Sequence, residues 1–317
     1  MSVQTNNKGY RNFAVKMLLF LLTVAVADFI AGTLLKKTYW KQKQGYDYLT
    51  TYSIEKTEAQ VLVFGSSRAV NIFDPRILKN ELGASCFNAG RVAQSVFYHH
   101  AVLKAVLKRY TPDVIILSID AGDFAKESKD YDRLSQLLPY YEKHPEIREV
   151  VHLKGPFERL KMISSVYPYN SMLLPIVKGN LQKHNREHSD NGFIPLRKKI
   201  SGPLHKIDYA DYSVLDDKKV NAYRSFIREC QDRGIKLFVI CPPYMVDARG
   251  EDHSLVMAKK IAREKKIAFL DHSHDPAYTS SQEYFADFKH LNEQGAGMFS
   301  KYVANKIRST EEPPGLD

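Results

Sequence analysis

Cysteine is scarce in this chain. Cys86, Cys230 and Cys241 are the only three in 317 residues, an odd number with no C-x-x-C spacing. That argues against a disulfide framework and against a structural zinc site. Cys86 and Cys241 lie in or beside apolar runs, where a thiol acts as a small hydrophobe, so cysteine usage does not identify the compartment. Zinc-finger spacing, an RNA-binding aromatic signature, internal repeats and low-complexity tracts are also missing. Negative charge is the minority sign, 36 Asp and Glu against 46 Lys and Arg, a formal +10. Such an excess suits an anionic membrane surface or polymer. With basic residues gathered around an apolar N-terminal segment, a membrane is the expected partner and nucleic acid is not. The 44% hydrophobic and 26% charged content is ordinary for a globular protein and excludes wholesale disorder.

The longest apolar stretch is Met17 to Leu35, interrupted by Thr23, Asp28 and Thr33. It has the length of a bilayer-crossing helix. Lys8, Arg11 and Lys16 precede it, and Lys36, Lys37, Lys41 and Lys43 follow it, so charge bias does not set its orientation. Asp28 inside the stretch is costly unless it sits near the interface or meets a partner. Ala25-Val26-Ala27 resembles a signal-peptidase site, but apolar character resumes at Phe29-Ile30. An uncleaved single-pass anchor is the expectation, with a cleaved signal and a buried soluble helix as alternatives. The first two put most of the chain outside the cytoplasm: residues 1–16 cytoplasmic, 17–35 in the membrane, 36–60 a polar connector.

From Val61 short apolar runs alternate with helical patterns. Strands are expected at Val61–Phe64, Ser85–Asn88, Asp113–Ile119, Ile235–Cys241 and Ile267–Leu270. Helices are expected over Pro75–Leu82, Ala93–Arg109, Asp217–Arg233, Ser254–Lys266 and Asn292–Ile307. Residues from about 124 to 216 break the rhythm and read as a helical insertion or cap. Residues 308–317 read as a disordered tail. Strands alternating with helices predict an α/β fold, a three-layer α/β/α parallel sheet, whose ligands bind beyond the carboxyl ends of the strands.

Polar motifs sit at those ends. Ser67 follows the first strand, Asn88-Ala89-Gly90 the second, and Asp120-Ala121-Gly122-Asp123 the third; Asp287 and His290 precede the last helix. A nucleophilic hydroxyl needs a base, and the base an orienting carboxylate; Asp287 and His290, three residues apart, can share one face of a turn. Backbone N–H groups of Ser67 and Gly90, beside Asn88, are candidate oxyanion donors. Plainer roles stand beside these. Ser67 could be a helix cap, Asp287 another, and Gly90 a turn residue. Arg68 and Arg91 could bind an anionic group or be structural, and Asp120 and Asp123 could be turn residues. His272 and His274 beside Asp271 and Asp275 lack further ligands, so no metal is expected; His184 and His188 read as polar surface. Tyr140, Tyr141, Tyr167 and Tyr169 read as core packing before a sugar platform.

Gly65-Ser66-Ser67, Asn88-x-Gly90 and Asp287-x-x-His290-Leu291-Asn292 together resemble the first, second and fifth blocks of the SGNH (GDSL-like) hydrolases. The resemblance covers roughly Gln60 to Ile307 without the insertion. It is closest to membrane-anchored bacterial members such as the teichoic-acid D-alanyl-transfer and alginate O-acetylation proteins. It implies a flavodoxin-like sheet, Ser67 as nucleophile, His290 as base, Asp287 as its orienter, an oxyanion glycine at Gly90 and no cofactor. It further implies an acyl ester or cell-envelope glycan as substrate, a multi-spanning acyltransferase as partner, and a catalytic domain on the outer side of the cytoplasmic membrane. One block departs: the family's third block carries Gly-x-Asn, where this chain has Ser118-Ile119-Asp120-Ala121-Gly122-Asp123. An ionised aspartate there would repel an oxyanion, and losing one donor costs on the order of 10²–10³ in turnover. A non-catalytic glycan-binding or assembly protein on the same fold is therefore the competing expectation.

Overall fold

The computed structural model describes residues 7–181, 191–209 and 214–310. Most of the reading for 308–317, and His184 and His188, lie outside them. Five parallel strands, β1 (Val61–Phe64), β2 (Cys86–Asn88), β3 (Val114–Ser118), β5 (Lys236–Cys241) and β7 (Ala268–Asp271), form a sheet in the order β2-β1-β3-β5-β7. Successive strand residues face opposite ways. Leu62, Phe64, Ile115, Leu117, Leu237 and Val239 join one core, and Val61, Val63, Val114, Ile116, Phe238 and Ile240 join the other. With both faces covered, these strands are apolar throughout rather than alternating.

The first core is covered by α5 (Val96–Val106), α10 (Asp217–Gln231) and α11 (His253–Glu264). The second is covered by α3 (Ser67–Ile72), α4 (Pro75–Leu82) and α13 (Glu293–Ser309), with the short α12 (Pro276–Thr279) beside them. The α/β/α sandwich is thus the observed architecture. A pair the sequence pattern did not reveal, β4 (His205–Asp208) with β6 (Val246–Arg249), lies apart from the sheet.

Two expectations need correction at the N-terminal side. Helix α1 runs unbroken over Asn7–Trp40, long and apolar enough to cross a membrane. It does not end at residue 35, and residues 36–60 are no loose connector. Tyr39 is buried and its hydroxyl meets that of Tyr140 at 2.9 Å. After a short turn, α2 (Gly45–Glu55) buries Leu49 and Ile54 in the first core. Among its described residues the insertion contains α6 (Ser128–Asp132), α7 (Arg148–His152), α8 (Glu158–Lys161), α9 (Leu173–Leu181), 3₁₀ turns and strand β4. It packs on this same side through Leu137, Tyr140, Val151 and Tyr169. Tyr140 and Tyr169 are core residues against Tyr39 and Trp40, not a sugar platform. Asp28 has its partners there: its carboxylate accepts from Ser164 Oγ at 2.6 Å and from the backbone N–H of Ser165 at 2.6 Å.

Candidate active site

The turn from β1 into α3 sets the position of Ser67. Gly65 has φ of +141°, and a Cβ there would lie 2.7 Å from the Ser118 Cβ, so both the backbone angle and the close approach to β3 require glycine. Ser66 takes the N-cap position, accepting from the Arg68 N–H. Ser67 then stands at the first helical position, where its own N–H has no intrahelical acceptor.

Two hundred residues later the chain brings a ring to it. The Ser67 hydroxyl is 2.8 Å from His290 Nε2, and His290 Nδ1 is 2.9 and 3.1 Å from the two carboxylate oxygens of Asp287. The backbone N–H groups of Lys289 and His290 also donate to Asp287, at 2.9 and 3.0 Å. Partial burial works against the Asp287 charge, but these hydrogen bonds, led by the imidazole, hold its carboxyl down at about 2. An ionised carboxylate only accepts, so Nδ1 carries the ring proton and Nε2 is left as the acceptor for Ser67. The segment is fixed by a bridge between Phe285 and Leu291 and by Asn292, which caps α13. His205 of β4 stacks on Phe288 with centroids 4.4 Å apart, a contact with no signal in the local sequence.

The other residues singled out are occupied differently. Asn88 donates through Nδ2 to the Ala69 and Phe73 carbonyls at 2.7 and 2.9 Å, and its Oδ1 accepts the Gly90 N–H at 3.0 Å. Neither group is therefore free for an oxyanion in this state. Together with the Arg91 N–H on the Gly65 carbonyl at 2.9 Å, they brace the Ser67 turn. Arg68 is 1% exposed and donates to Asp120 at 3.0 Å and to the Pro243 carbonyl at 2.7 Å, with its guanidinium 3.6 Å from the Tyr244 ring centre. Arg91 is buried on Asp47 at 2.7 Å and Gln136 at 2.9 Å. Both arginines are spent inside the protein rather than offered to a ligand.

The two aspartates of the third block are also accounted for. Asp120 turns one oxygen to Arg68 and the other to the Ser66 hydroxyl at 2.5 Å, so its carboxylate is paired within the protein. Asp123 accepts the Asp120 N–H at 2.8 Å, and burial and the Asp120 charge push its carboxyl well above the ordinary carboxylate range. Beside them a cavity of about 250 Å³ is lined by Ser66, Gln94, Ser95, Asp123, Tyr244 and Lys289, which include the chain neighbours of Ser67 and His290. Tyr244, which sequence reasoning missed, receives the Ala121 N–H at 2.6 Å. Elsewhere, His272 spends Nδ1 on Asp275 at 2.8 Å, and no cluster of three metal-ligating side chains occurs among the described residues.

No protein-family model and no curated protein matches the chain. Among solved structures it is similar to an acetyl xylan esterase, at 12% identity over 79% of this chain and 98% of that one, with a TM-score of 0.39. It is also similar to a protein from Bacteroides fragilis described as an acylhydrolase, at 13% identity over 85% of this chain and 100% of that one, with a TM-score of 0.40.

Proposed function

We propose that this protein is an SGNH-type serine esterase or O-acyltransferase held to a membrane by α1, with its sandwich domain outside the cytoplasm. The observation that carries the reading is the single line from hydroxyl to imidazole to carboxylate. His290 Nε2 takes the Ser67 proton as Oγ attacks an ester carbonyl. The tetrahedral oxyanion collapses as His290 returns that proton to the departing alcohol, leaving an acyl-Ser67. A water or an acceptor hydroxyl then repeats the cycle in reverse, giving acid or a new ester. Asp287 holds the ring's tautomer and stabilises the imidazolium. The Ser67 N–H is the donor available to the oxyanion; Gly90 joins it only if it exchanges Asn88 Oδ1 for the substrate. A cell-envelope glycan ester as substrate and a multi-spanning acyltransferase as partner belong to the same proposal.

A second reading, a glycan-binding or assembly protein that keeps the fold without turnover, is favoured by the occupied Asn88 and Gly90 groups. Hydrolysis of p-nitrophenyl acetate separates the two. The enzyme reading expects turnover in the full chain that falls to background in Ser67→Ala and His290→Ala. Equal rates in all three proteins, each with an unchanged melting temperature, would leave the binding reading standing.

A further inference from the structure

The unbroken α1 and the position of Asp28 together constrain how the domain meets the bilayer. If Met17 to Leu35 cross the apolar layer, these 19 residues span about 28 Å, and Asp28 lies seven residues, roughly 10 Å, inside the outer boundary. Asp28 is nevertheless held by Ser164 and the Ser165 N–H. One turn further along, Gly32 approaches so closely that a Cβ would stand 2.4 Å from the Ser165 backbone. The 164–165 turn must therefore lie at the depth of Asp28, below the headgroups.

The side chains around that turn match such a depth. Phe157, Leu160 and Ile163 are 63%, 62% and 77% exposed, and Leu174, Val177 and Leu181 on the adjoining α9 are exposed as well. Large apolar side chains grouped on one surface are the mark of a covered face. Here Ile163 lines one cleft with Phe29 of α1, next to the Asp28 and Gly32 contacts. Exposed basic side chains lie on the same elements, Lys37 on α1, Arg159 on α8 and Lys178 on α9, long enough to reach anionic headgroups while their stems lie in the apolar layer; Lys36 and Lys161 instead pair with Glu142 at 3.1 Å and Glu158 at 2.7 Å.

We propose that the insertion around Phe157–Ile163 and Leu174–Leu181 is embedded in the outer leaflet beside α1, its occupant being lipid. The domain is then seated on the bilayer in one orientation instead of hanging from a tether. This rests on the membrane-anchored reading above, and the test separates the two. The three native cysteines are all buried, so single cysteines introduced by Ile163→Cys, Leu22→Cys or Met298→Cys take a thiol-reactive spin label selectively. The full chain is reconstituted in nanodiscs of neutral and anionic phospholipid. Collision with oxygen, which concentrates in lipid, is compared with collision with a water-soluble nickel chelate.

The expected result is oxygen preference at positions 22 and 163 and chelate preference at 298. Oxygen preference at 22 with chelate preference at 163 overturns the embedded insertion while leaving the anchor intact, and assigns the apolar face to a protein partner instead. Chelate preference at all three positions removes the anchor itself. The substituted side chains are exposed, and unchanged circular dichroism establishes that each variant is folded.

Discussion

At the scale of single residues, the proposed relay rests on the group behind the imidazole. Asp287 stays ionised because it collects the imidazole and two backbone N–H groups. Asp287→Asn keeps the shape but lets Nδ1 accept instead of donate, turning a proton toward Ser67. The expected loss is about 10⁴-fold in kcat with little change in KM, read from steady-state ester hydrolysis. Arg68 was a candidate ligand for an anionic substrate because a charged residue next to a nucleophile is legible in sequence, whereas its burial on Asp120, Pro243 and Tyr244 is not. Those partners come from 52 to 176 positions away, beyond any local pattern. Arg68→Met strands the Asp120 charge and is expected to cost about 3–5 kcal/mol in chemical denaturation. Adding Asp120→Asn should return much of that loss, a coupling that independent sites would not display.

At the scale of elements, hydrophobic period carried most of the information. The apolar runs at Val61–Phe64 and Leu237–Cys241 and the helical patterns over Pro75–Leu82 and Asn292–Ile307 identify their strands and helices within a few residues. The polar, aromatic 36–60 segment misled for a physical reason. Its tyrosines and threonines bond across to Tyr140 and Tyr98, so polar groups are buried there by partners from the insertion and from α5. Asn88 and Gly90 show the same limit, since a motif gives residue types but not which of them are already hydrogen-bonded to each other. Their bracing role has its own signature. Asn88→Ala frees the Ala69 and Phe73 carbonyls and the Gly90 N–H, so stability should drop by about 2–4 kcal/mol along with activity. A role confined to the oxyanion would lower kcat and leave the melting temperature where it was.

At the scale of the whole molecule, two buried imidazoles contribute to the response to acid. Burial lowers His99 and His100 from 6.5 to about 4, so the folded state keeps both neutral where the unfolded chain takes up protons. At these two sites the unfolded state binds more protons between pH 6.5 and about 4, so their contribution to stability falls as pH falls, while the raised carboxyls of Asp123 and Asp252 act in the opposite direction; below 3.8 the Asp287 contribution is lost as well. His99→Phe, which keeps a ring against Phe64, should flatten the first part of this slope by up to about 3 kcal/mol in denaturation midpoints taken from pH 7 to pH 4. An unchanged slope would place the acid sensitivity elsewhere. The proton relay itself is tested most directly by treating the full, membrane-reconstituted chain with a fluorophosphonate and mapping the adduct by peptide mass spectrometry. A single adduct on Ser67, absent when His290 is alanine, is the expected result. A folded protein that takes up no label, or that takes it up equally without His290, would contradict it.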